Sequence, residues 1–452
     1  MPMLPLSSGP KGIDSDPCLS RPLCYPALAN VHGQSGPVAL WITLLMVLIT
    51  APCRAEPRMP AHADFDELMV DQNLSLHEIV DETFHHYPQQ ALIGAFEDEA
   101  RALEQRSTSW IAGYPMIYLQ YIDDALISDR GVSDIQSGYQ VPVWMWGQKE
   151  ASEKVTQQAA LAVERYAKAL RHEIAGLVRN TLWAIRVAEI RKDFAQNVHG
   201  VSEELLRIIQ RRVELGDLAQ TDLLLAESDA LEKKTLLIHA EVDLLNARKA
   251  YQNLTRISRL PAQFEEHLAS SGELDEHHPA LAAASASVER AQAEVDFVRL
   301  SKQGNQPTIL LGTDSTSVDR QRDYGTGTNL VFQIPIGGDD WHAPQVAQAN
   351  VALNEKLAQR ESLFRQLEKA LHDAHRNLEL DEKALEIANR RKHIAETQLK
   401  MSRVALEAGE IALIDFLKIQ ASAQAALRDA LERAVLVQKD IATLNQVLGI
   451  TP

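Results

Sequence analysis

The longest stretch without a helix breaker covers residues 345–408, which contain neither glycine nor proline. Within it, apolar residues recur mostly at spacings of three, four or seven, the pattern of a coiled-coil seam. A helix of this length would extend for about 100 Å, whereas helices of globular domains average about 11–12 residues. Gly409 follows directly, and a second breaker-free run continues to Leu448. The pattern predicts a very long antiparallel helical hairpin that turns at Gly409.

The hairpin sequence occurs twice, at an offset of 193 positions. Residues 214–219 (ELGDLA) align with 407–412 (EAGEIA), and residues 141–143 (VPV) align with 334–336 (IPI). A first long helix is therefore expected over about residues 148–215, with its turn at Gly216. We divide the chain into an N-terminal extension with a signal peptide (1–55), a first repeat (56–260) and a second repeat (261–452).

Two segments between the helical runs have the alternation and aromatic content of β-strands, at about residues 109–123 and 132–146. The repeat supplies a second pair at about 308–318 and 325–336. The candidate membrane-interface aromatics are Trp110, Tyr114, Tyr118, Tyr139 and Trp144. Such strands would also suit a soluble sandwich, so aromatic content alone leaves both interpretations open.

The number of strands restricts what kind of membrane barrel the chain could form. Four strands cannot close a membrane barrel, since single-chain barrels begin at about eight strands. An open sheet in lipid would also leave backbone groups unpaired. Strands in a membrane would therefore need several chains to share one barrel, and three chains with cyclic symmetry would supply twelve strands.

Residues 38–50 (VALWITLLMVLIT) form an apolar run near the N-terminus. The run is too short for a confident membrane-spanning helix and suits a secretory signal that is cleaved after Ala55. A membrane anchor or a buried segment is the alternative. Cys18, Cys24 and Cys53 all precede the cleavage point, so the mature chain is expected to contain no cysteine. Pro52 before Cys53 argues against lipidation.

The composition bears on the class of protein. The net charge of −17 argues against a nucleic-acid binder, which needs a basic face. The sequence contains no Gly-x-Ser-x-Gly, His-Glu-x-x-His or Gly-x4-Gly-Lys motif. We therefore expect neither an enzyme nor a bound cofactor.

In their order and constant spacing, these features resemble the TolC-like family of outer-membrane efflux proteins. The resemblance covers about residues 70–450 and rests on the paired glycine turns with an Asp six residues later, on the strand-ending VPVW and IPIG segments, and on the final LNQVLG. It implies a homotrimer with a twelve-strand barrel in the outer membrane and a long α-helical barrel across the periplasm. It also implies an exit duct that works with a periplasmic adaptor and an inner-membrane pump, most readily of the resistance-nodulation-division type.

The resemblance assigns roles to residues near the two turns. Asp222 and Asp415 correspond to the family's aperture aspartates, although a place near a helix N-terminus also explains an aspartate there. The tip and the adaptor-docking surface would comprise Leu215, Gly216, Asp217, Gly409, Glu410 and Ile411, with Asp217 and Glu410 as capping residues. Leu406, Ile411 and Lys418 depart from the polar and acidic residues found at the gates of well-known members.

Paired histidines precede the prolines that begin equivalent helices, His85-His86 before Pro88 and His277-His278 before Pro279. Adjacent residues point in different directions on a helix, and no third ligand is evident. We therefore expect surface or interface histidines and no metal site.

Together these observations predict a mainly α protein with duplicated coiled-coil hairpins and a small membrane β-barrel part. The predicted function is a passive exit duct of a tripartite efflux or secretion system, conducting small molecules or metal ions from the pump. The expected location is the outer membrane of a Gram-negative bacterium, in contact with its lipid. The alternative is a periplasmic structural coiled-coil protein without a membrane barrel.

Overall fold

The computed structural model describes residues 68–269, 273–301, 306–319 and 322–452, all of which belong to one compact unit, Asp64–Pro452. The expected signal peptide and the three cysteines lie outside the described residues. The prediction of a mainly helical chain with a few strands is confirmed.

Helices make up most of the described chain, and two of them are very long, with 67 and 69 residues. Each long helix is followed by a returning helix of about half its length. The helices are α1 (Leu76–His86), α2 (Gln90–Thr108), α3 (Gln148–Glu214), α4 (Gln220–Thr255), α5 (Pro279–Leu300), α6 (Asp339–Glu407) and α7 (Leu413–Val447).

Within the described ranges, six short strands form two sheets. The strands are β1 (Met69–Asp71), β2 (Met116–Asp123), β3 (Ser133–Pro142), β4 (Arg259–Pro261), β5 (Thr308–Ser317) and β6 (Gly325–Gln333). Strands β1 and β4 pair in parallel, while the other four form an antiparallel sheet in the order β2-β3-β5-β6. The two central strands of the larger sheet therefore come from different repeats.

The repeat is visible in the element boundaries. The end of α3 at Glu214 and the end of α6 at Glu407 are 193 positions apart, and so are the starts of α4 at Gln220 and α7 at Leu413. Helices α2 and α5 also occupy equivalent places before their strand pairs. Helix α1 has no helical counterpart at this offset among the described residues.

The long helices pack side by side through apolar seams. Along the hairpins the order is α4, α3, α7, α6, since α4 packs on α3, α3 on α7 and α7 on α6. Helices α2 and α5 both pack on α3, and α5 also packs on α6. Small residues line these contacts: Ala226 and Ala230 of α4 and Ala388 and Ala395 of α6 are buried.

The main hydrophobic core lies where α1 and the small β1–β4 sheet cover the middle of α3. Ile79 of α1, Ile174 and Val178 of α3 and Tyr251 of α4 are fully buried there. Helix α1 begins with a capping box in which Ser75 Oγ accepts from the Glu78 N–H and Glu78 Oε2 accepts from the Ser75 N–H. This core packs α1, α3 and α4 against β4, the strand at the end of the first repeat.

Three boundaries differ from those expected from the sequence. Strand β2 begins at Met116 and not near residue 109, because Pro115 has no N–H to donate to a ladder and the preceding residues make only an isolated bridge between Ile111 and Val143. Strand β3 likewise ends at Pro142. Helix α6 begins at Asp339, six residues earlier than expected, and includes Pro344 in its second turn.

None of the helices in the described ranges combines the length and the apolar character that crossing a membrane would require.

Candidate functional site

Both hairpins turn through the same glycine-centred motif. Gly216 and Gly409 have positive φ angles of 81° and 77°. The N–H groups of Gly216 and Asp217 donate to the carbonyls of Val213 and Arg212 at 3.0 and 2.9 Å, the pair of bonds that defines a Schellman motif. The second tip repeats both bonds from Gly409 and Glu410. Glycine is required because other residues adopt this conformation at a cost.

The two acidic tip residues cap helix C-termini through their backbone and do not serve as N-caps. Asp217 and Glu410 are predicted to be capping residues, but they are not the N-caps of the returning helices, which are Ala219 and Ala412. Asp217 and Glu410 instead close the preceding long helices through their backbone N–H groups. Their side chains are exposed at the ends of the hairpins.

The two tips share one apolar cluster. Ile209 of α3 and Phe416 of α7 are buried in it, and the equivalent residues Leu218 and Ile411 pack against it. Leu406, one of the departures from the family pattern, belongs to the same cluster. Ile411 packs against this shared cluster and is half-buried, whereas Leu215 remains 63% exposed. Of these two tip residues, Leu215 is the more accessible to a partner.

The two candidate aperture aspartates occupy equivalent places in the returning helices. Asp222 and Asp415 are the third residues of α4 and α7, where a negative charge also interacts favourably with the helix dipole. Lys418 Nζ lies 3.3 Å from Asp415 Oδ1, on the same exposed surface of α7. The residue at the corresponding place near Asp222 is Leu225. The two aspartates therefore differ in their local charge.

The four-stranded sheet has one apolar face and one polar face. Pairing places Ile117, Tyr139, Leu311 and Leu330 in one row across all four strands, and each is at least half exposed. We call the exposed apolar residues of this face the apolar belt: Ile117, Leu119, Tyr121, Ile135, Tyr139, Leu311, Leu330 and Phe332. The opposite face, which we call the polar face, carries Tyr118, Gln120, Asp134, Gln136, Gly138, Gly312, Asp314 and Asn329, together with four apolar residues, Met116, Ile122, Leu310 and Val331.

The predicted interface aromatics do not all lie on one surface. Tyr139 belongs to the apolar belt, but Tyr118 pairs with Gly138 and lies on the polar face, where its hydroxyl is 3.5 Å from Gln136 Oε1. Trp144 is half-buried and its indole N–H donates to the carbonyl of Ser109 at 2.9 Å. Trp110 and Tyr114 are exposed but precede β2. The pairing therefore places Tyr118 and Tyr139 on opposite faces of the sheet, and the interface role of the five aromatic residues stays a prediction.

A pair of glycines brings the two repeats together at the centre of the sheet. Gly138 of β3 faces Gly312 of β5. A Cβ atom added to Gly312 would lie 2.2 Å from the carbonyl oxygen of Ser137. Glycine within a strand commonly marks such a close backbone approach.

Sequence reasoning missed a buried polar network that joins α3, α7 and the segment after β4. Arg179 of α3 is held by Glu266 and donates to the carbonyl of Ile450 at 3.1 Å. Gln446 of α7 donates to the carbonyl of His172 at 2.8 Å. Burial lowers the pKa of His172 to about 4, with smaller contributions from His278 and Arg179. These contacts join α3 to the C-terminal end of the chain.

The paired histidines separate into different environments. His85 and His86 are exposed at the end of α1, and His277 is exposed beside Asp275. His278, expected at a surface or an interface, is instead buried, where its Nδ1 accepts from the Ala280 N–H and caps α5. Among the described residues, no group of three His, Cys, Asp or Glu side chains is arranged to hold a metal ion.

Comparison with solved structures gives several extensive matches. A membrane protein from Pseudomonas aeruginosa matches with a TM-score of 0.66 at 16% identity, covering 88% of this chain and 100% of that chain. The outer membrane protein VceC from Vibrio cholerae matches with a TM-score of 0.64 at 15% identity (83% and 96% coverage). The outer membrane channel MtrE from Neisseria gonorrhoeae, in its open state, matches with a TM-score of 0.63 at 17% identity (85% and 91% coverage).

No family model matches the sequence, and no curated protein matches it. At these identities the structural matches establish the fold alone, and they do so over nearly the full length of each matched chain. The resemblance found in the sequence motifs is confirmed at that level: the chain has the fold of the TolC-like outer-membrane channels.

Proposed function

We propose that the chain is one third of a trimeric exit duct in the outer membrane of a Gram-negative bacterium. Three four-stranded sheets form a twelve-strand barrel, and the long hairpins form a tube that continues the barrel into the periplasm. The duct conducts small molecules or metal ions passively as part of a tripartite efflux or secretion system. The proposal rests on the fold shared with outer-membrane channels and on the two faces of the sheet.

The two-faced sheet is the observation that carries the proposal. The apolar belt is exposed in the single chain, while the opposite face holds Gln120, Gln136 and Asp314. Membrane barrels alternate in this way, with apolar residues toward lipid and polar residues toward the lumen. The strands have 8 to 10 residues, close to the 9–11 that a tilted membrane strand needs. A soluble coiled-coil protein would have no use for this exposed apolar surface.

Closure of the barrel explains the number of chains. In the described sheet, β2 and β6 are edge strands with one side each unpaired. Lipid does not tolerate unpaired edges, so β6 of one chain must pair with β2 of the next. Three chains supply twelve strands, within the range of known barrels. Helix α3, with 67 residues, would extend the tube by about 100 Å.

The hairpin tips are assigned to docking and to the aperture. Three copies each of Asp222 and Asp415 would ring the narrow end and favour cations, as charged rings do in other pores. The exposed tips, with Leu215 at their surface, would contact a periplasmic adaptor. An inner-membrane pump, most readily of the resistance-nodulation-division type, supplies the energy, since the duct carries no chemistry of its own.

Detergent dependence of the oligomer tests the proposal. Residues from Glu56 onward would be expressed behind an export signal, extracted from outer membranes and weighed by light scattering. We expect a trimer that needs detergent and that forms conducting channels in planar bilayers. A monomer or dimer that stays in solution without detergent would refute the duct and favour a periplasmic coiled-coil protein.

A further inference from the structure

Five charged side chains form a continuous chain of contacts between α6 and α7. We call them the seam network: Asp381 and Arg391 of α6, and Asp429, Arg433 and Asp440 of α7. Arg391 Nη1 lies 3.2 Å from Asp429 Oδ2, and Arg433 Nε donates to Asp429 Oδ1 at 2.9 Å. Arg433 Nη1 donates to Asp381 Oδ1 at 3.2 Å. The carboxyl groups of Asp381 and Asp440 are in hydrogen-bonding contact at the end of this chain.

The seam network holds more acidic than basic groups. Three carboxyl groups face two guanidinium groups, so one carboxyl group has no cation of its own in the network. Asp440 has this place, since its Oδ2 is buried and receives no donor from the described residues. Two carboxylates cannot hydrogen-bond to each other unless one of them carries a proton. A proton on Asp440 would supply a donor toward Asp381 and balance the charge of the network.

The surroundings of Asp440 offer one further cation. Lys439, adjacent on α7, favours the charged form of Asp440. The side chains that α3 and the segment after β4 pack against this part of α7 are apolar: Trp183, Val187 and Phe264. Burial and the negative charge of Asp381 outweigh Lys439 and raise the pKa of Asp440 to about 6. Asp440 therefore gains or loses its proton at a much higher pH than an ordinary aspartate.

The first hairpin has no such network at the equivalent positions. At the offset of 193, the five residues correspond to apolar residues: Ala188, Val198, Leu236, Ala240 and Ala247. Three of these, Ala188, Val198 and Ala240, are buried. The two hairpins therefore differ at the same height, where the first is apolar and the second is charged.

We propose that the seam network is a proton switch, in which a proton shared by Asp440 and Asp381 tightens the α6–α7 hairpin and its loss loosens the hairpin. The folded chain binds this proton more tightly than the unfolded chain, so the stabilisation is complete below pH 3.8 and is lost as the pH rises through about 6. The tip of the same hairpin carries Asp415 and Lys418, so the switch would regulate the aperture. This regulatory role rests on the proposed duct, whereas the proton site does not.

Infrared titration tests the proton site. A protonated carboxyl group absorbs apart from a carboxylate, so the purified chain should show a carboxyl band that disappears with a midpoint near pH 6. Asp440→Asn should remove this band. The control Asp373→Asn, which changes an exposed carboxylate of α6, should keep it. Arg433→Gln removes a cation from the network and should raise the midpoint, a change that a purely structural role of Asp440 would not produce.

Hydrogen exchange tests the effect on the hairpin. After correction for the intrinsic pH dependence of exchange, the amides of residues 381–391 and 429–440 should exchange more slowly below about pH 6 than above it. The equivalent segments of the first hairpin, 188–198 and 236–247, are the internal control and should show no such change. Asp440→Asn imitates the neutral carboxyl group and should keep exchange slow on both sides. A local readout is needed because the lowered pKa of His172 affects global stability in the opposite direction.

Bilayer recordings connect the switch to the duct. A tightened α6–α7 hairpin should move less at its tip, so we expect fewer conductance transitions below about pH 6 than above it. Asp440→Asn should keep these transitions few at both pH values. Asp373→Asn leaves the seam network unchanged and should retain the pH dependence.

The outcomes separate this inference from the proposed function. A carboxyl band that survives Asp440→Asn, or equal corrected exchange on both sides of about pH 6, would overturn the switch whatever the oligomer. A titrating band and altered exchange in a chain that forms no detergent-dependent trimer would support the switch and overturn the duct. Conducting trimers whose transitions do not respond to Asp440→Asn would overturn the regulatory role.

Discussion

Arg179 of α3 and Glu266, in the segment after β4, form a two-point ion pair: Arg179 Nε and Nη2 donate to the two carboxylate oxygens at 2.6 and 2.9 Å. Only 4% of the Arg179 side chain is exposed. Asn445 of α7 donates to the same carboxylate at 3.1 Å. The pair and its Asn445 contact therefore connect α3, the segment after β4 and α7.

Removing the carboxylate should destabilise the protein strongly. Glu266→Ala leaves the Arg179 charge buried without its ionic partner, a change that typically costs about 3–5 kcal/mol. The matched control is Glu432→Ala, which breaks the pair between Arg191 of α3 and Glu432 of α7. Arg191 is 48% exposed, so this change should cost about 1 kcal/mol or less. Denaturant unfolding in detergent measures both, and equal losses would contradict the assignment.

Stability should fall as the pH is lowered through the buried histidine. His172 has an ordinary pKa of 6.5 that burial lowers to about 4 in the folded protein. Between these values the unfolded chain binds the proton and the folded chain does not, so stability decreases from pH 6.5 down to about pH 4. The shift corresponds to about 3 kcal/mol at about 1.36 kcal/mol per pKa unit.

The His172→Gln variant isolates this contribution, since it cannot be protonated. It should show a flatter dependence of unfolding free energy on pH over this interval. The pKa of the neighbouring His278 is lowered by burial too, so part of the slope should remain until both histidines are replaced. If His172→Gln kept the original slope of unfolding free energy against pH, His172 would be excluded as a source of that pH dependence.

The helices were predictable from the local sequence, but the buried polar network around Arg179 was not. The repeat offset and Gly216 placed the end of α3 within one residue of Glu214, because the second repeat turns at the equivalent Gly409. The partners Arg179 and Glu266 are 87 positions apart, and a single sequence carries no signal that pairs them. His278 was misjudged for the same reason: its burial depends on residues brought in by other elements.

The strand faces show a second limit. Once β2 is known to start at Met116, alternation assigns every residue of the sheet to a face. Aromatic content grouped Tyr118 with Tyr139, whereas the pairing register, which a single sequence does not show, places the two residues on opposite faces. The aperture and docking roles of the tip residues remain predictions, since they depend on the assembled trimer and its partners.

The glycine pair in the sheet should be intolerant of a methyl group. In Gly312→Ala, the new Cβ would lie 2.2 Å from the Ser137 carbonyl oxygen, so β3 and β5 could not keep their pairing. We expect little or no membrane-inserted trimer, measured by extraction and native gel mobility. Gly327→Ala on β6 is the control, because nothing lies within 4 Å of its new Cβ. Normal assembly of Gly312→Ala would show that the strands do not approach so closely.

Replacement by alanine should lower the stability of the protein at a tip glycine and raise it at a glycine inside the long helix. Gly216→Ala has open space for its methyl group but keeps a φ of 81°, which costs an L-residue about 1–2 kcal/mol. Gly200 of α3 is also unobstructed and lies inside a helix, where Ala is favoured by about 0.5–1 kcal/mol. Unfolding free energies of the two variants should therefore change in opposite directions. A gain in stability from Gly216→Ala would contradict the Schellman turn.

The ion preference of the duct should depend on three tip residues. Removing a carboxylate from the ring, by Asp222→Ala or Asp415→Ala, should lower the cation preference that bilayer reversal potentials report. Lys418→Ala should raise it, because Lys418 Nζ lies 3.3 Å from Asp415 and offsets its charge. Asp222→Glu keeps the charge and should keep the preference. Asp217→Ala makes the same change in net charge outside the ring, so an effect as large as that of Asp222→Ala would refute the aperture assignment.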